Sequence, residues 1–251
     1  MTKTRRAMVS VVCVSGLLAT VSGEDKGPDG EKILSGVDSV LYAYEDAKMR
    51  MRFVLEDKDG STKVRALNAM EKGTEYRLMR FTSPADQEGI AFLSLPDDVM
   101  YLYLPAFGKA RRIAGHVKNK GFAGTDFTYE NLEPREYAKL WKAEVAEETD
   151  TTWMLRLLPR EGTETAYSKL EVRVRKANNY PVYVKYFDRA GKPAKELFRE
   201  KIEKLDGYWI ARKTLMKDLR TGHQTTMIIE EMKFDTGIAP ERFSKRELER
   251  G

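Results

Sequence analysis

The chain has 251 residues, of which 33% are charged, with 44 Lys and Arg against 39 Asp and Glu, and it contains one cysteine and two histidines. So few cysteines and histidines exclude a disulfide within the chain and leave little material for a metal site. The GxSxG, HExxH, Walker and dinucleotide-binding motifs do not occur in the sequence. We therefore expect a protein that is not an enzyme and that holds no metal or other cofactor.

The first residues have the pattern of a secretory signal peptide. Lys3, Arg5 and Arg6 precede the apolar run Met8–Val21, which is too short to span a bilayer as a helix, and Val21-Ser22-Gly23 offers a small-residue cleavage site. We predict residues 1–23 as a signal peptide and residues 24–251 as a single exported domain. The alternative for the apolar run is a buried N-terminal helix.

Cleavage there would change both the thiol content and the charge. Cys13 lies inside the apolar run after Val12, which is not the small residue that a lipoprotein signal requires, so we expect no lipid on Cys13. The removed segment holds three basic and no acidic residues, which leaves 41 Lys and Arg against 39 Asp and Glu, a net charge of +2. We expect no nucleic-acid binding from an exported protein of this charge.

One amphipathic helix is predicted near the start of the mature chain. Asp29 is placed to cap it. Its apolar positions follow the 3.6-residue period of an α-helix and would share one face: Ile33, Leu34, Val37, Val40, Leu41 and Tyr44.

From residue 48 onward the apolar positions alternate, which is typical of half-buried strands. Turn signals such as Asp59-Gly60 and Asp206-Gly207 separate the alternating segments. We predict ten or eleven strands in an antiparallel meander with one face in water. The segments are 48–56, 62–70, 74–82, 90–95, 99–104, 153–157, 170–174, 182–187, 197–205, 208–217 and 225–234.

A sheet of this size should curl, and a single helix covers only a few of its strands, so part of the inner face stays uncovered. The predicted fold class is mostly β (α+β), a strongly curved antiparallel sheet or incomplete β-barrel. Methionines and aromatics suit an inner wall that accepts variable apolar shapes. The candidate cavity residues are Met49, Met51, Phe53, Leu55, Tyr76, Leu78, Phe92, Met100, Leu102, Trp153, Leu155, Leu157 and Trp209. The alternative for each of them is ordinary core packing.

Residues 83–132 carry the most specific motifs. Two short strands, Ile90–Leu95 and Val99–Leu104, end in a YLP sequence and are followed by a basic segment and by the element GTDFTYENL. This order resembles the LolA-like outer-membrane lipoprotein-sorting proteins of the bacterial periplasm. The resemblance covers the mature chain, including KYFDRAGKP at residues 185–193.

The resemblance implies a LolA/LolB-like shell, an incomplete barrel closed by a helical lid around an apolar cavity. Proteins of this kind carry acyl chains through the periplasm, so the implied partners are lipid or lipoprotein acyl chains, an inner-membrane transporter and an outer-membrane acceptor. We expect a monomer. The lid would be the first helix, with Ile33, Leu34, Val37, Val40 and Leu41 facing inward.

Two regions are less regular. Residues 138–148, AKLWKAEVAEE, are strong helix formers, yet Tyr137, Trp141 and Val145 also fit an alternating pattern. The resemblance favours a strand there. Pro240–Leu248 is predicted as a turn followed by a short helical tail.

The remaining polar candidates include a basic cluster and the two histidines. Lys109, Arg111 and Arg112 form the densest basic cluster, which could meet an anionic lipid headgroup or an acidic partner, or could be a solvated hairpin end. His116 and His223 are expected at the surface.

Asp126 and Glu130 are four residues apart, as on one helix face, which could serve acid and base catalysis. The alternative is that Asp126 caps a short helix and Glu130 is solvated, with Phe127 and Tyr129 anchoring the element.

Three functions follow in order of preference. The first is a periplasmic carrier that binds lipid acyl chains in an apolar cavity for transfer to the outer membrane. The second is an accessory binding subunit of an RND-type envelope exporter, with a filled interior and no bound lipid. The third is an envelope hydrolase acting through Asp126 and Glu130.

Overall fold

The computed structural model describes residues 27–250, and the predicted signal peptide lies outside them. Thirteen strands of this part of the chain form one antiparallel sheet in the order β6-β5-β4-β3-β2-β1-β13-β12-β11-β10-β9-β8-β7. The strands are β1 Asp46–Glu56, β2 Thr62–Lys72, β3 Tyr76–Ser83, β4 Ala91–Leu95, β5 Val99–Leu104, β6 Lys109–Arg112, β7 Trp141–Glu148, β8 Thr152–Pro159, β9 Tyr167–Arg175, β10 Pro181–Asp188, β11 Pro193–Leu205, β12 Tyr208–Asp218 and β13 Gln224–Phe234.

The sheet is curved and does not close on itself, as predicted for an incomplete barrel. Its strand count exceeds the predicted ten or eleven. The basic segment Lys109–Arg112 pairs with β5 as an unpredicted edge strand, and β7 is the strand that the resemblance favoured within residues 138–148. The two meanders, β1–β6 and β7–β13, are joined by pairing of β1 with β13. The free edges are therefore β6 and β7, which are consecutive in the chain but lie at opposite ends of the sheet.

The first helix, α1, spans Gly30–Leu41, and Asp29 caps it as predicted: its carboxylate accepts hydrogen bonds from the N–H groups of Glu31 and Lys32. α1 packs against β7, β12 and the short helix α3 (Tyr137–Leu140). A glycine is required at position 30, because a Cβ there would lie 2.7 Å from the carbonyl oxygen of Ala143 on β7.

The residues from 113 to 140 run from one edge of the sheet to the other. This crossing segment contains the short helix α2 (Tyr129–Leu132), whose start is fixed by a capping box between Thr128 and Asn131, and ends in α3. The region around residues 138–148, whose sequence fitted both a helix and a strand, contains one of each: a helical turn at Tyr137–Leu140 and then strand β7. The predicted helix near Tyr129 is confirmed.

The crossing segment packs on the concave face of the sheet. The ring of Phe122 stacks on Phe81 of β3, and the ring of Phe127 stacks on Phe53 of β1. Farther along, the side chain of Asn131 donates a hydrogen bond to the Tyr167 hydroxyl on β9. The concave face therefore has two covers, α1 and the crossing segment, where the sequence had predicted mainly one.

The opposite face of β3–β5 is covered by the C-terminal end of the described chain. A turn at Pro240–Arg242 leads into helix α4 (Lys245–Arg250), as predicted for this end. Leu248 of α4 is buried in a second, smaller apolar cluster with Leu78 and Leu93. Arg80 donates hydrogen bonds to the carbonyl groups of Glu247 and Leu248, which ties α4 to β3. Both faces of β3 are therefore covered by other parts of the chain.

No helix within residues 27–250 combines the length and the apolar character that crossing a bilayer would require.

Candidate functional site: an internal cavity

A cavity of about 260 Å³, partly open to solvent, lies between the concave face of the sheet, the C-terminal end of α1 and the crossing segment. Its volume is close to the lower end of the roughly 300–1,000 Å³ typical of small-molecule sites. The apolar part of its wall comes from eight strands, α1 and the crossing segment. It consists of Leu41, Met49, Met51, Ala69, Met79, Phe127, Leu132, Leu140, Trp141, Leu170, Leu197, Trp209, Ile210, Ala211, Met227, Ile229 and Met232.

The structure distributes the sequence-predicted cavity residues over three environments. Met49, Met51 and Trp209 line the cavity. Tyr76 and Leu78 lie on the other face of the sheet, with the C-terminal tail. The others pack in or against the main core on the concave side: Phe53, Leu55, Phe92, Met100, Leu102, Trp153, Leu155 and Leu157.

Of the predicted lid residues, Leu41 lines the cavity. Ile33, Leu34 and Val37 are buried in the core beneath α1, and Val40 is half-buried. α1 therefore closes the cavity with its last turn, while its first turns are part of the packed interior.

Five methionines contribute to the wall, at positions 49, 51, 79, 227 and 232. Methionine is unbranched and polarizable, so its side chain can adjust to ligands of different shape at little energetic cost. A wall of this kind suits a flexible hydrocarbon chain better than a rigid polar substrate.

One side of the cavity carries a buried ion pair that the strand pattern did not predict. Arg77 lies 3.0 Å, measured from its Nε, from the carboxylate of Glu71, and it also donates a hydrogen bond to the carbonyl oxygen of Leu132 in the crossing segment. The Tyr44 hydroxyl donates to the same Glu71 carboxylate. Burial and the charge of Glu71 raise the pKa of Tyr44 well above its usual range, so the phenol stays neutral.

A second charged group lies where the crossing segment meets the rim. The carboxylate of Glu133 is 2.6 Å from Nε of Arg135, and Arg135 also pairs with Asp98. Burial raises the pKa of Glu133 to about 7, against the lowering effect of the nearby Arg135 and Lys118. The charge of this side of the cavity therefore changes around neutral pH.

Side chains of α1 fasten it to the elements around it. The carboxylate of Glu31 accepts a hydrogen bond from the N–H of Ala143 on β7 and pairs with Arg160. These contacts hold the N-terminal end of α1 against the edge of the sheet.

Toward its other end, Asp38 accepts hydrogen bonds from the N–H groups of Tyr137 (2.7 Å) and Ala138 (2.8 Å), which makes it the cap of α3. The Tyr42 hydroxyl both donates to the carbonyl and accepts from the N–H of Arg135. Any movement of α1 away from the cavity must break these bonds.

The predicted acidic pair has a different arrangement from the one expected. α2 begins at Tyr129, so Asp126 precedes the helix and does not share a face with Glu130. Thr128, not Asp126, is the cap. The interpretation of Asp126 as a cap was wrong for a geometric reason: its carboxylate accepts a hydrogen bond from the Thr225 hydroxyl on β13 and lies 2.6 Å from Nδ1 of His223 in the turn before β13.

Glu130 was expected in solvent, and this prediction was also wrong. Its carboxylate accepts hydrogen bonds from the Thr165 hydroxyl and the N–H of Ala166, and it lies in the cavity wall. His223 is likewise only partly exposed, whereas His116 is exposed as predicted. Within residues 27–250 no cluster of three or more His, Cys, Asp or Glu side chains is arranged to hold a metal ion.

The basic cluster lies at a free edge of the sheet. Lys109, Arg111 and Arg112 are exposed on β6, and the turn before them presents Phe107, whose side chain is 52% exposed. The guanidinium carbon of Arg111 is 4.2 Å from the centre of the Phe107 ring. The sequence analysis missed Phe107, although an apolar residue between proline and glycine in a turn next to three cations was a visible signal.

The fold and the cavity define a class of protein: a single curved sheet that encloses a largely apolar binding space. A family model described as "-like: Uncharacterized protein" matches residues 73–250. The chain belongs to the family that this model describes, and the solved structures described below support a LolA-like family. The comparison with curated proteins gives no match.

Three solved structures share the architecture over nearly their whole length. A domain from Vibrio parahaemolyticus, whose name assigns it to outer membrane lipoprotein sorting, is 28% identical with a TM-score of 0.78, covering 88% of this chain and 98% of that one. A DUF1329 family protein from Desulfovibrio piger is 26% identical with a TM-score of 0.82, covering 87% and 97%. A LolA superfamily protein from Nitrosomonas europaea is 16% identical with a TM-score of 0.74, covering 88% and 99%, which is a likeness of fold.

Proposed function

We propose that this protein is a carrier that binds a lipid acyl chain in its internal cavity and releases it to an acceptor membrane or protein. The observation that carries the proposal is the cavity of about 260 Å³ with its methionine-rich wall. A hydrocarbon chain placed in a largely apolar space of this size gains packing contacts along the wall. The similarity of this chain to a solved domain named for outer membrane lipoprotein sorting supports the same proposal.

The mechanism is reversible transfer without catalysis. Each buried methylene contributes about 0.8 kcal/mol to binding, so a chain of moderate length is held firmly enough to cross water but weakly enough to leave. The volume favours one chain, or part of one, in the closed state. A second chain would need α1 to move.

We assign gating to α1 and to the hydrogen bonds that hold it in place. The contacts of Glu31, Asp38 and Tyr42 with β7, α3 and the crossing segment keep α1 closed. Ile33, Leu34 and Val37 anchor the first turns of α1 in the core, so the gate is its last turn. There, contact with a membrane or partner has only a few hydrogen bonds to break, at modest free-energy cost.

Membrane contact is assigned to the β5–β6 end of the sheet. Phe107 offers an exposed apolar anchor, and Lys109, Arg111 and Arg112 offer three cations beside it, each worth about 1 kcal/mol near an anionic lipid surface. The combination fits the interface of an anionic membrane better than a neutral protein surface.

The proposed location is the periplasm, reached through the predicted signal peptide, with an inner-membrane transporter as donor, an outer-membrane protein as acceptor and a monomeric carrier between them. The alternative function, an accessory subunit of an RND-type exporter without bound lipid, requires a filled interior, and the cavity favours the carrier.

Binding of the neutral fluorescent probe N-phenyl-1-naphthylamine to the delipidated protein tests the proposal. We expect saturable binding that added lipid displaces. A matched variant, Met51→Trp, should reduce probe binding by filling the cavity, whereas Val64→Trp at an exposed position should not. Folded protein that does not bind the probe would contradict the carrier function.

A further inference from the structure

The cavity wall contains three arginines, and only one of them has no acidic partner within the described residues. Arg77 is paired with Glu71, and Arg135 is paired with Glu133 and Asp98. Arg199 donates a hydrogen bond, 3.2 Å long, from its guanidinium group to the carbonyl oxygen of Pro181, and it also hydrogen-bonds the Tyr137 side chain. No Asp or Glu between residues 27 and 250 forms an ion pair with it.

Arg199 points into the cavity because of its position on β11. Side chains alternate along a strand, and Leu197 and Arg199, two residues apart, both line the cavity. Its partner across the sheet, Thr214 on β12, lines the cavity as well. The guanidinium cannot lose its proton in a protein, so the interior of the shell holds a permanent positive charge at this point.

The surroundings of Arg199 are polar but neutral. Tyr137, Tyr180 and Tyr186 lie around its guanidinium, and all three line the cavity. Burial raises the pKa of Tyr180 and Tyr186 above the usual range, so these phenols stay protonated and can donate hydrogen bonds. Glu130, another acid of the cavity wall, already accepts hydrogen bonds from Thr165 and Ala166.

A half-buried cation without a counter-charge is unfavourable inside the shell, and an anion placed beside it recovers that cost through charge-assisted hydrogen bonds. We infer that the cavity is built for a single-chain amphiphile with an anionic head, whose carboxylate or phosphate pairs with Arg199 while its chain lies along the methionine-lined wall. This inference rests on the proposed carrier function and narrows its cargo. An uncharged lipid would fill the apolar wall but leave Arg199 unpaired.

Competition against N-phenyl-1-naphthylamine tests the inference with ligands of one chain length: dodecanoate, dodecyl phosphate and dodecanol, at a pH where the carboxylic acid is ionised. We expect dodecanoate, dodecyl phosphate or both to bind about ten-fold to a hundred-fold more tightly than dodecanol, the range of one charge-assisted hydrogen bond. The ratio between the two anions identifies the preferred head group.

Arg199→Met should abolish this preference, so that dodecanoate and dodecyl phosphate bind no more tightly than dodecanol to the same variant. Arg199→Lys keeps the charge and should retain part of the preference. Arg156→Met, which removes a positive charge from the exposed face of β8, is the matched control and should behave like wild type.

The outcomes separate the two claims. If dodecanol competes as well as both anions, or if Arg199→Met keeps the preference, the anionic cargo is refuted although the carrier function stands. If the neutral probe does not bind wild-type protein at all, the carrier function itself is refuted.

Discussion

Replacing Asp38 with alanine should loosen α1 without changing the cavity wall. The carboxylate of Asp38 accepts hydrogen bonds from two N–H groups at the start of α3, and its own side chain is buried and does not line the cavity. The substitution leaves the N–H groups of Tyr137 and Ala138 without an acceptor, so α1 loses its hydrogen bonds to α3 in the crossing segment.

The size of the effect follows from these two bonds. An unpaired buried N–H costs about 1–3 kcal/mol. Part of that cost is offset because burial raises the pKa of Asp38, which means that the ionised carboxylate is itself unfavourable there. We expect a net loss of about 2 kcal/mol, which corresponds to about a thirty-fold increase in the fraction of molecules with α1 open.

Hydrogen–deuterium exchange of the α1 and α3 amides measures this opening directly. Asp38→Ala should speed exchange in both helices, Asp38→Asn should have a smaller effect because one carbonyl acceptor is kept, and the exposed Ser39→Ala should leave exchange unchanged. Association of N-phenyl-1-naphthylamine should accelerate in the same order. Unchanged exchange in Asp38→Ala would refute the assignment of α1 as a gate.

Three further predictions address packing, pH and membrane contact. Gly30→Ala places a Cβ 2.7 Å from the Ala143 carbonyl oxygen and should destabilise the protein by about 1–3 kcal/mol in urea unfolding, whereas Gly27→Ala, with nothing within 4 Å, should be neutral; equal stabilities would contradict the close packing of α1 on β7. The pKa of Glu133 is raised from 4.5 to about 7, so its protonated carboxyl stabilises the folded protein fully below pH 4.5, and this stabilisation is lost as pH rises through 7. The free energy of unfolding of Glu133→Gln should not show this loss. Parallel curves of stability against pH for the two proteins would argue against the shift. Phe107→Ser should weaken binding to anionic vesicles about ten-fold or more, from the loss of a buried Phe worth about 1.5–3 kcal/mol, and undiminished binding would exclude this turn as the anchor.

The sequence predicted the fold better than the cavity, for physical reasons. The alternation in β1 places Met49 and Met51 on one face, and tertiary contacts preserve that pattern, so these two residues were correctly seen as sharing a face. In β3 the same rule cannot choose between Leu78 and Met79, because the C-terminal tail covers one face and the crossing segment the other, and both side chains are buried.

The polar part of the cavity was not predictable from alternation. The rule assigns charged side chains to the wet face of a sheet, yet Arg77 and Arg199 point inward. The inward position of Arg77 depends on Glu71, which contacts it across the β2–β3 hairpin. Arg199 is surrounded by tyrosines from α3, from β10 and from the loop before β10. Such long-range arrangements leave no local signal in the sequence.

The most direct test of the central claim uses the protein's own tryptophans. Trp209 lines the cavity and Trp153 does not, so variants that keep one of them and replace the other two tryptophans by phenylalanine report on different places. Brominated fatty acid quenches indole fluorescence only on close contact. A carrier with its acyl chain in this cavity predicts strong quenching of Trp209 and little of Trp153; equal quenching of both, or none of Trp209, would contradict it.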